Sequence, residues 1–199
     1  MSPRRQPGFT LIELMVSISV MAIIILVGIP SYQQWTQNTR IRTAMESIQN
    51  GLRLARNQAA QQAANVRFQF TTATGGWEVC TLASTQTTCP AGSSSVIQQY
   101  TGDNGSDGVT VTTSTATTSD TTPSWYTSTI SGAAIGSGIT YTPLARPSDF
   151  GNTSLIRIDV SATTQANARR LITTISAGGM VNMCDPQINF TATSTQGCQ

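Results

Sequence analysis

The chain has no histidine and no lysine, and charged residues make up only 10% of its 199 positions. Without imidazole, the usual general base and the commonest nitrogen ligand of zinc are both missing. The acids are scattered, so no nucleophile stands near a base and an orienting group, and a non-enzymatic role with no cofactor is expected. All eleven basic residues are arginines, set against nine Asp plus Glu, for a formal charge of +2. A balance this close to neutral does not mark a nucleic-acid binder. The length allows one domain of ordinary size with a real core, plus one further element, and excludes a second full domain.

Four cysteines are present, falling into two local pairs, Cys80 with Cys89 and Cys184 with Cys198. Local pairing is the expected choice among the three connectivities, and it points to an oxidising compartment. A zinc site is the competing reading, disfavoured because the spacings are not C-x-x-C and no His is available.

Residues 1–8 are short, basic and polar, and from Phe9 the chain passes directly into FTLIELMVSISVMAIIILVGIP. No small-residue cleavage site follows the apolar run, so it does not read as an ordinary secretory signal, and the run should stay on the mature protein. No charge lies between Glu13 and Arg40, and the apolar part, residues 14–29, approaches the lower limit of roughly 17 residues for a spanning helix. Arg4 and Arg5 orient its start towards the cytoplasm, which leaves the rest of the chain exported. Glu13 is the anomaly, since a carboxylate at full depth in a bilayer costs about 2.5–3.5 kcal/mol and usually has a partner. The alternative is a shallow Glu13 that snorkels to the headgroups.

The run Gly8-Phe9-Thr10-Leu11-Ile12-Glu13 resembles the processing motif of type IV prepilins and pseudopilins. The resemblance implies that a prepilin peptidase cuts after Gly8 and methylates the new N-terminal Phe9. It also implies that Glu13 meets the N-terminal amine of a neighbouring subunit. Loss of the leader removes Arg4 and Arg5, leaving nine Arg against nine acids (9 − 9 = 0), so bulk charge does not select a partner.

Beyond the span, Ile41, Met45, Ile48, Leu52, Ala55 and Ala59 recur at intervals of three and four. They form one apolar stripe, with Arg40, Arg42, Arg53 and Arg56 largely off it. Gly28 and Pro30 predict a break between the two parts of the helix. In filament pilins a Pro at the place of Pro30 lets the helix unwind on assembly, and a static kink at the membrane surface fits the residues equally. After residue 64 the period becomes two: Val66, Phe68 and Phe70 alternate, Gly75-Gly76 turns the chain, and Trp77, Val79 and Thr81 follow as a hairpin. Further strands are expected at 109–113, 138–142, 155–160, 171–176 and 180–184. The Ser/Thr/Gly-rich residues 83–137 otherwise read as exposed loops.

The single long helix, the Trp77-Glu78-Val79-Cys80 hairpin and the segment Gly178-Gly179-Met180-Val181-Asn182-Met183-Cys184-Asp185-Pro186 are similar to the GspH/FimT minor pilin family. The fold implied is α+β: a long N-terminal helix, half transmembrane and half amphipathic, packed on a mostly antiparallel, β-sandwich-like head. Its divisions would be a leader at 1–8, a transmembrane and assembly helix at 9–30, an amphipathic helix at 31–64 and a β-rich extracytoplasmic head at 65–199. The resemblance implies a minor pilin in the bacterial inner membrane with a periplasmic head. Its partners would be the peptidase, other minor and major pilins and the inner-membrane assembly platform. A type II secretion pseudopilin is the near alternative. Some FimT-like members bind DNA through Gly-Arg-x-Arg before the late Cys; here Met180 and Asn182 stand where the arginines would be, and neither supplies a cation. Arg169 and Arg170 are the remaining candidates for a DNA patch, with a solvated strand end as the plainer reading. Nucleic acid is therefore the disfavoured alternative.

Overall fold

The computed structural model describes residues 8–90, 92, 95–102, 105–115, 124–163 and 168–198. A single helix, α1 (Leu11–Gln62), carries the N-terminal third. The chain divides within it into two compact units, one ending at Thr36 and one beginning at Gln37.

In the first unit the side chains described up to Trp35 are exposed, including Leu11, Ile12, Ile18, Ile23, Ile24 and Ile29. Its most apolar stretch has a mean hydropathy of 2.6, and none of that stretch is buried. The break expected at Gly28 and Pro30 is not found: helical backbone continues through both residues. Proline removes one donor and crowds the carbonyl four residues earlier, and local backbone adjustments can absorb both without ending a helix.

In the second unit the apolar stripe does what its spacing predicts. Ile41, Met45, Ile48, Leu52, Ala55 and Ala59 are each 0% exposed, while Arg42 and Arg53 face solvent. This face packs into one core with two sheets. The first sheet has the order β3-β2-β1-β5 and comprises β1 (Val66–Phe70), β2 (Trp77–Thr81), β3 (Val96–Tyr100) and β5 (Gly138–Tyr141). The second runs β4-β6-β7-β8-β9 and comprises β4 (Val109–Ser114), β6 (Arg157–Ala162), β7 (Leu171–Ile175), β8 (Val181–Asn189) and β9 (Gly197–Cys198). All neighbours are antiparallel except β8 and β9. The architecture is the α+β one expected.

The β1–β2 hairpin pairs Phe68 with Val79 and Phe70 with Trp77. Alternation sends Val66, Phe68 and Phe70 inward, and Phe68 meets Phe70 edge-on at 5.1 Å between centroids and Trp77 at 5.6 Å. Gly51 of α1 makes this approach feasible, because a Cβ there would stand 2.7 Å from Phe68 Cε2. Trp77 Nε1 donates to Ser47 Oγ at 3.0 Å, tying strand to helix.

Two strand expectations need correction. The residues read as loop between 83 and 137 contain β3, whose pattern is half-buried rather than alternating. Gln98 and Gln99 are consecutive and both exposed, so polar residues stand on both faces and the period-two signal is lost; pairing with β2 makes it a strand. The strand expected to end at 184 runs on to Asn189, past Pro186, which ordinarily marks a strand's edge or end. The part of the Ser/Thr-rich stretch at 116–123 lies outside the described residues.

Candidate functional site

The first described residues are Gly8, around which nothing would crowd even an added Cβ, and Phe9, which is 85% exposed. The Gly8–Phe9 bond is therefore open on the protein's surface. Thr10 caps the helix: its Oγ1 accepts from Glu13 N at 3.3 Å and its carbonyl from Leu14 N at 3.2 Å. Thr10-x-x-Glu13 has the spacing of a capping box, a linear signal that the membrane-span reading of this segment leaves unused. Glu13 thus sits in the first turn, where the helix dipole favours an anion. Its side chain is exposed, and among the described residues it has no ion-pair partner. The arrangement is one carboxylate on an otherwise apolar helix surface.

The second unit holds the remaining candidates. Cys80 is bonded to Cys89 and Cys184 to Cys198, with Cα–Cα distances of 5.8 and 4.9 Å. The second bond ties β9 to β8 and so secures the C-terminal strand. Loops of this length contribute about 3 kcal/mol each in the chain-entropy account of disulfides. Met180 and Asn182 lie on the β7–β8 hairpin, both exposed, with the turn closed by Gly179 at φ 74°.

Arg169 and Arg170 stand just before β7, Arg169 with its side chain half exposed to solvent and Arg170 with its side chain mostly covered. Arg169 Nε pairs with the buried carboxylate of Asp185 at 3.1 Å. Arg170 is mostly covered: Nη1 reaches Asp159 Oδ2 at 3.1 Å and Ser128 O at 2.9 Å, and Nη2 donates to Tyr126 O at 2.6 Å. Burial lowers the Arg170 pKa, and Asp159 partly opposes that shift. Asp159 also takes a two-pronged bond from Arg157, at 2.6 Å on each oxygen, and Arg157 is fully buried. The Arg157 guanidinium donates to Ser128 O at 2.7 Å and to Trp125 O, and lies 5.1 Å from the Trp125 ring. Two arginines and one carboxylate thus hold the carbonyl end of the short helix α2 (Ser124–Thr127). Arg157 and Asp159 gave no sequence signal, since nothing linear distinguishes a buried Arg from an exposed one. Arg169 and Arg170, the two arginines considered for phosphate, are thus each already paired with a carboxylate.

The family model described as the type II transport protein GspH matches residues 44–179, well over half of the chain. The chain belongs to the GspH family. This GspH-family chain also matches the prokaryotic N-terminal methylation motif over residues 3–29. A fimbrial protein of Pseudomonas aeruginosa is 38% identical over 45 residues, which is 23% of the chain and 29% of that relative. The chain thus matches less than a third of the length of that curated relative. The crystal structure of the type IV minor pilin FimU of Pseudomonas aeruginosa aligns with a TM-score of 0.50 at 14% identity, over 77% of this chain and 95% of that one. The minor pseudopilin EpsH of the Vibrio cholerae type 2 secretion system aligns at 0.46 and 10% identity, over 74% and 98%. The FimU likeness is one of fold alone.

Proposed function

We propose that this chain is a minor pilin: cleaved after Gly8, N-methylated on Phe9, held in the inner membrane by the first part of α1 with the head in the periplasm, and incorporated in a type IV pilus. There it helps initiate assembly or forms the tip. The observation that carries the reading is the exposed apolar helix of the first unit, which opens on the accessible Gly8–Phe9 bond and bears the one carboxylate of Glu13. Such a surface is stable only when covered, first by lipid and then by like helices. In the packed filament the Glu13 carboxylate would neutralise a neighbour's N-terminal amine, because an unpaired charge among apolar helices is costly. The expected partners are the prepilin peptidase, other minor and major pilins and the inner-membrane assembly platform. A role as a type II secretion pseudopilin is the second reading, favoured by the description of the matching family model.

The test is intact-mass analysis of the chain from the membrane and from sheared filaments, joined to mass spectrometry of crosslinked partners. A mature N-terminus at methylated Phe9 and capture of pilins support the proposal. Capture of secretion-system subunits alone selects the second reading, and an N-terminus at Met1 in cells with active peptidase sinks both.

A further inference from the structure

The face of the first sheet turned away from α1 carries a cavity of about 250 Å³ with Arg67 in its wall. Arg67 and Gln69 lie on this face because their β1 neighbours Val66, Phe68 and Phe70 point into the core. The Arg67 side chain has a built seat. Its Nε donates to Gln69 Oε1 at 3.0 Å and its Nη1 to Thr140 Oγ1 at 3.3 Å. Gly138 on the adjacent strand leaves room for the guanidinium, since a Cβ there would stand 2.9 Å from Nη2 and 3.0 Å from Cζ. The same Gln69 oxygen accepts from Cys89 N at 3.3 Å, which latches the disulfide loop beside the cavity.

Arg67 is the contrast to Arg157, Arg169 and Arg170. It is half-buried, yet no carboxylate pairs with it among the described residues. Of the five N–H groups of a guanidinium, two find acceptors here; the others have none among the described residues. Burial without a counter-charge lowers its pKa, and a bound anion would reverse that pull. The cavity also presents Thr140, Ser148, Thr153 and Gln86, neutral donors and acceptors, with exposed Asp149 also lining it.

We propose that this cavity binds a small hydroxyl-bearing monocarboxylate, of the uronic acid class, with the carboxylate on the Arg67 guanidinium and the hydroxyls on the Thr140 side of the wall. The planar fork of Arg matches a carboxylate. Arg67 and Asp149 together leave the wall neutral, so a single carboxylate is held by direct contact with the guanidinium, and a phosphate dianion, with a second negative charge facing Asp149, is disfavoured. The volume is below the roughly 300–1,000 Å³ of pockets for larger ligands, so one sugar ring fits better than a chain or a nucleotide.

The test is ligand-observed saturation-transfer NMR on the processed full-length chain in detergent micelles, with glucuronate, glucose and inorganic phosphate as probes. Glucuronate should give at least fivefold more transfer than glucose, and equimolar phosphate should not displace it. Arg67→Gln should abolish the signal, and Thr140→Val, which keeps the side-chain shape, should reduce it severalfold in a protein with unchanged near-UV circular dichroism. Equal transfer to glucose and glucuronate overturns the proposal. Displacement by equimolar phosphate does so too, as does a folded Thr140→Val protein with undiminished transfer.

Discussion

Asp159, in the second unit, is buried and holds Arg157 and Arg170 within hydrogen-bonding distance, whereas Glu13, in the first, stands exposed on an apolar helix without a cation among the described residues. Both are carboxylates among apolar neighbours, and the difference lies in where the counter-charge comes from. The second unit supplies its own: the arginines drawn in around Asp159 are bonded within the fold. The first unit leaves both its apolar surface and its one charge to be met from outside. A region that satisfies itself behaves as a domain, and one that does not behaves as part of an assembly.

The contrast can be broken most forcefully at Asp159. Asp159→Ala leaves Arg157 buried without a counter-charge and should destabilise the head by about 3–5 kcal/mol, read by chemical denaturation of the full chain in detergent. Pairing it with Arg157→Met should recover most of that loss. A single-variant change under about 1 kcal/mol would mean that the cluster behaves like a surface pair.

Next in size is truncation along the same helix. Leu52→Ala should lower head stability by about 2–5 kcal/mol, while Ile24→Ala should leave it unchanged, because the first side chain is fully buried and the second is 65% exposed. Equal effects from the two would erase the distinction between the units.

Glu13→Ala should leave the denaturation midpoint of the head untouched and reduce entry into filaments. An unpaired neighbouring amine at a cost of about 2.5–3.5 kcal/mol corresponds to a deficit on the order of a hundredfold, measured by quantifying the chain in sheared filaments. Normal incorporation would favour a Glu13 that snorkels to the headgroups.

The smallest effect expected is on DNA. With Arg169 and Arg170 already paired to Asp185 and Asp159, the chain should not shift DNA at low micromolar concentration in near-physiological salt. Replacing Met180 and Asn182 by Arg on the exposed hairpin should raise affinity, with a salt slope of about −0.9 for each phosphate that the new arginines neutralise. A shift by the wild-type chain that Arg169→Ala/Arg170→Ala abolishes would move the function towards DNA uptake.

Much of the fold is legible in the residues alone. The stripe from Ile41 to Ala59 and the alternation of Val66, Phe68 and Phe70 are periodic, and a regular element exposes its buried face as a period. β3 is not legible, because the consecutive Gln98 and Gln99 put polar residues on both of its faces and erase the alternation. Nor is the fate of Arg170, whose partners Tyr126 and Asp159 lie 44 and 11 positions away.

The N-terminal motif, the apolar span with its sole charge, the α+β order and the approximate strands are all readable from the order of the residues. Each of these is written in contiguous residues, where spacing alone sets the chemistry. Folding in three dimensions adds that Gly51 admits Phe68, that Arg157 and Arg170 share Asp159, and that Arg67 sits over Gly138 with no ion-pair partner among the described residues. Those outcomes depend on which strands lie side by side, and sheet pairing brings together residues that are distant along the chain.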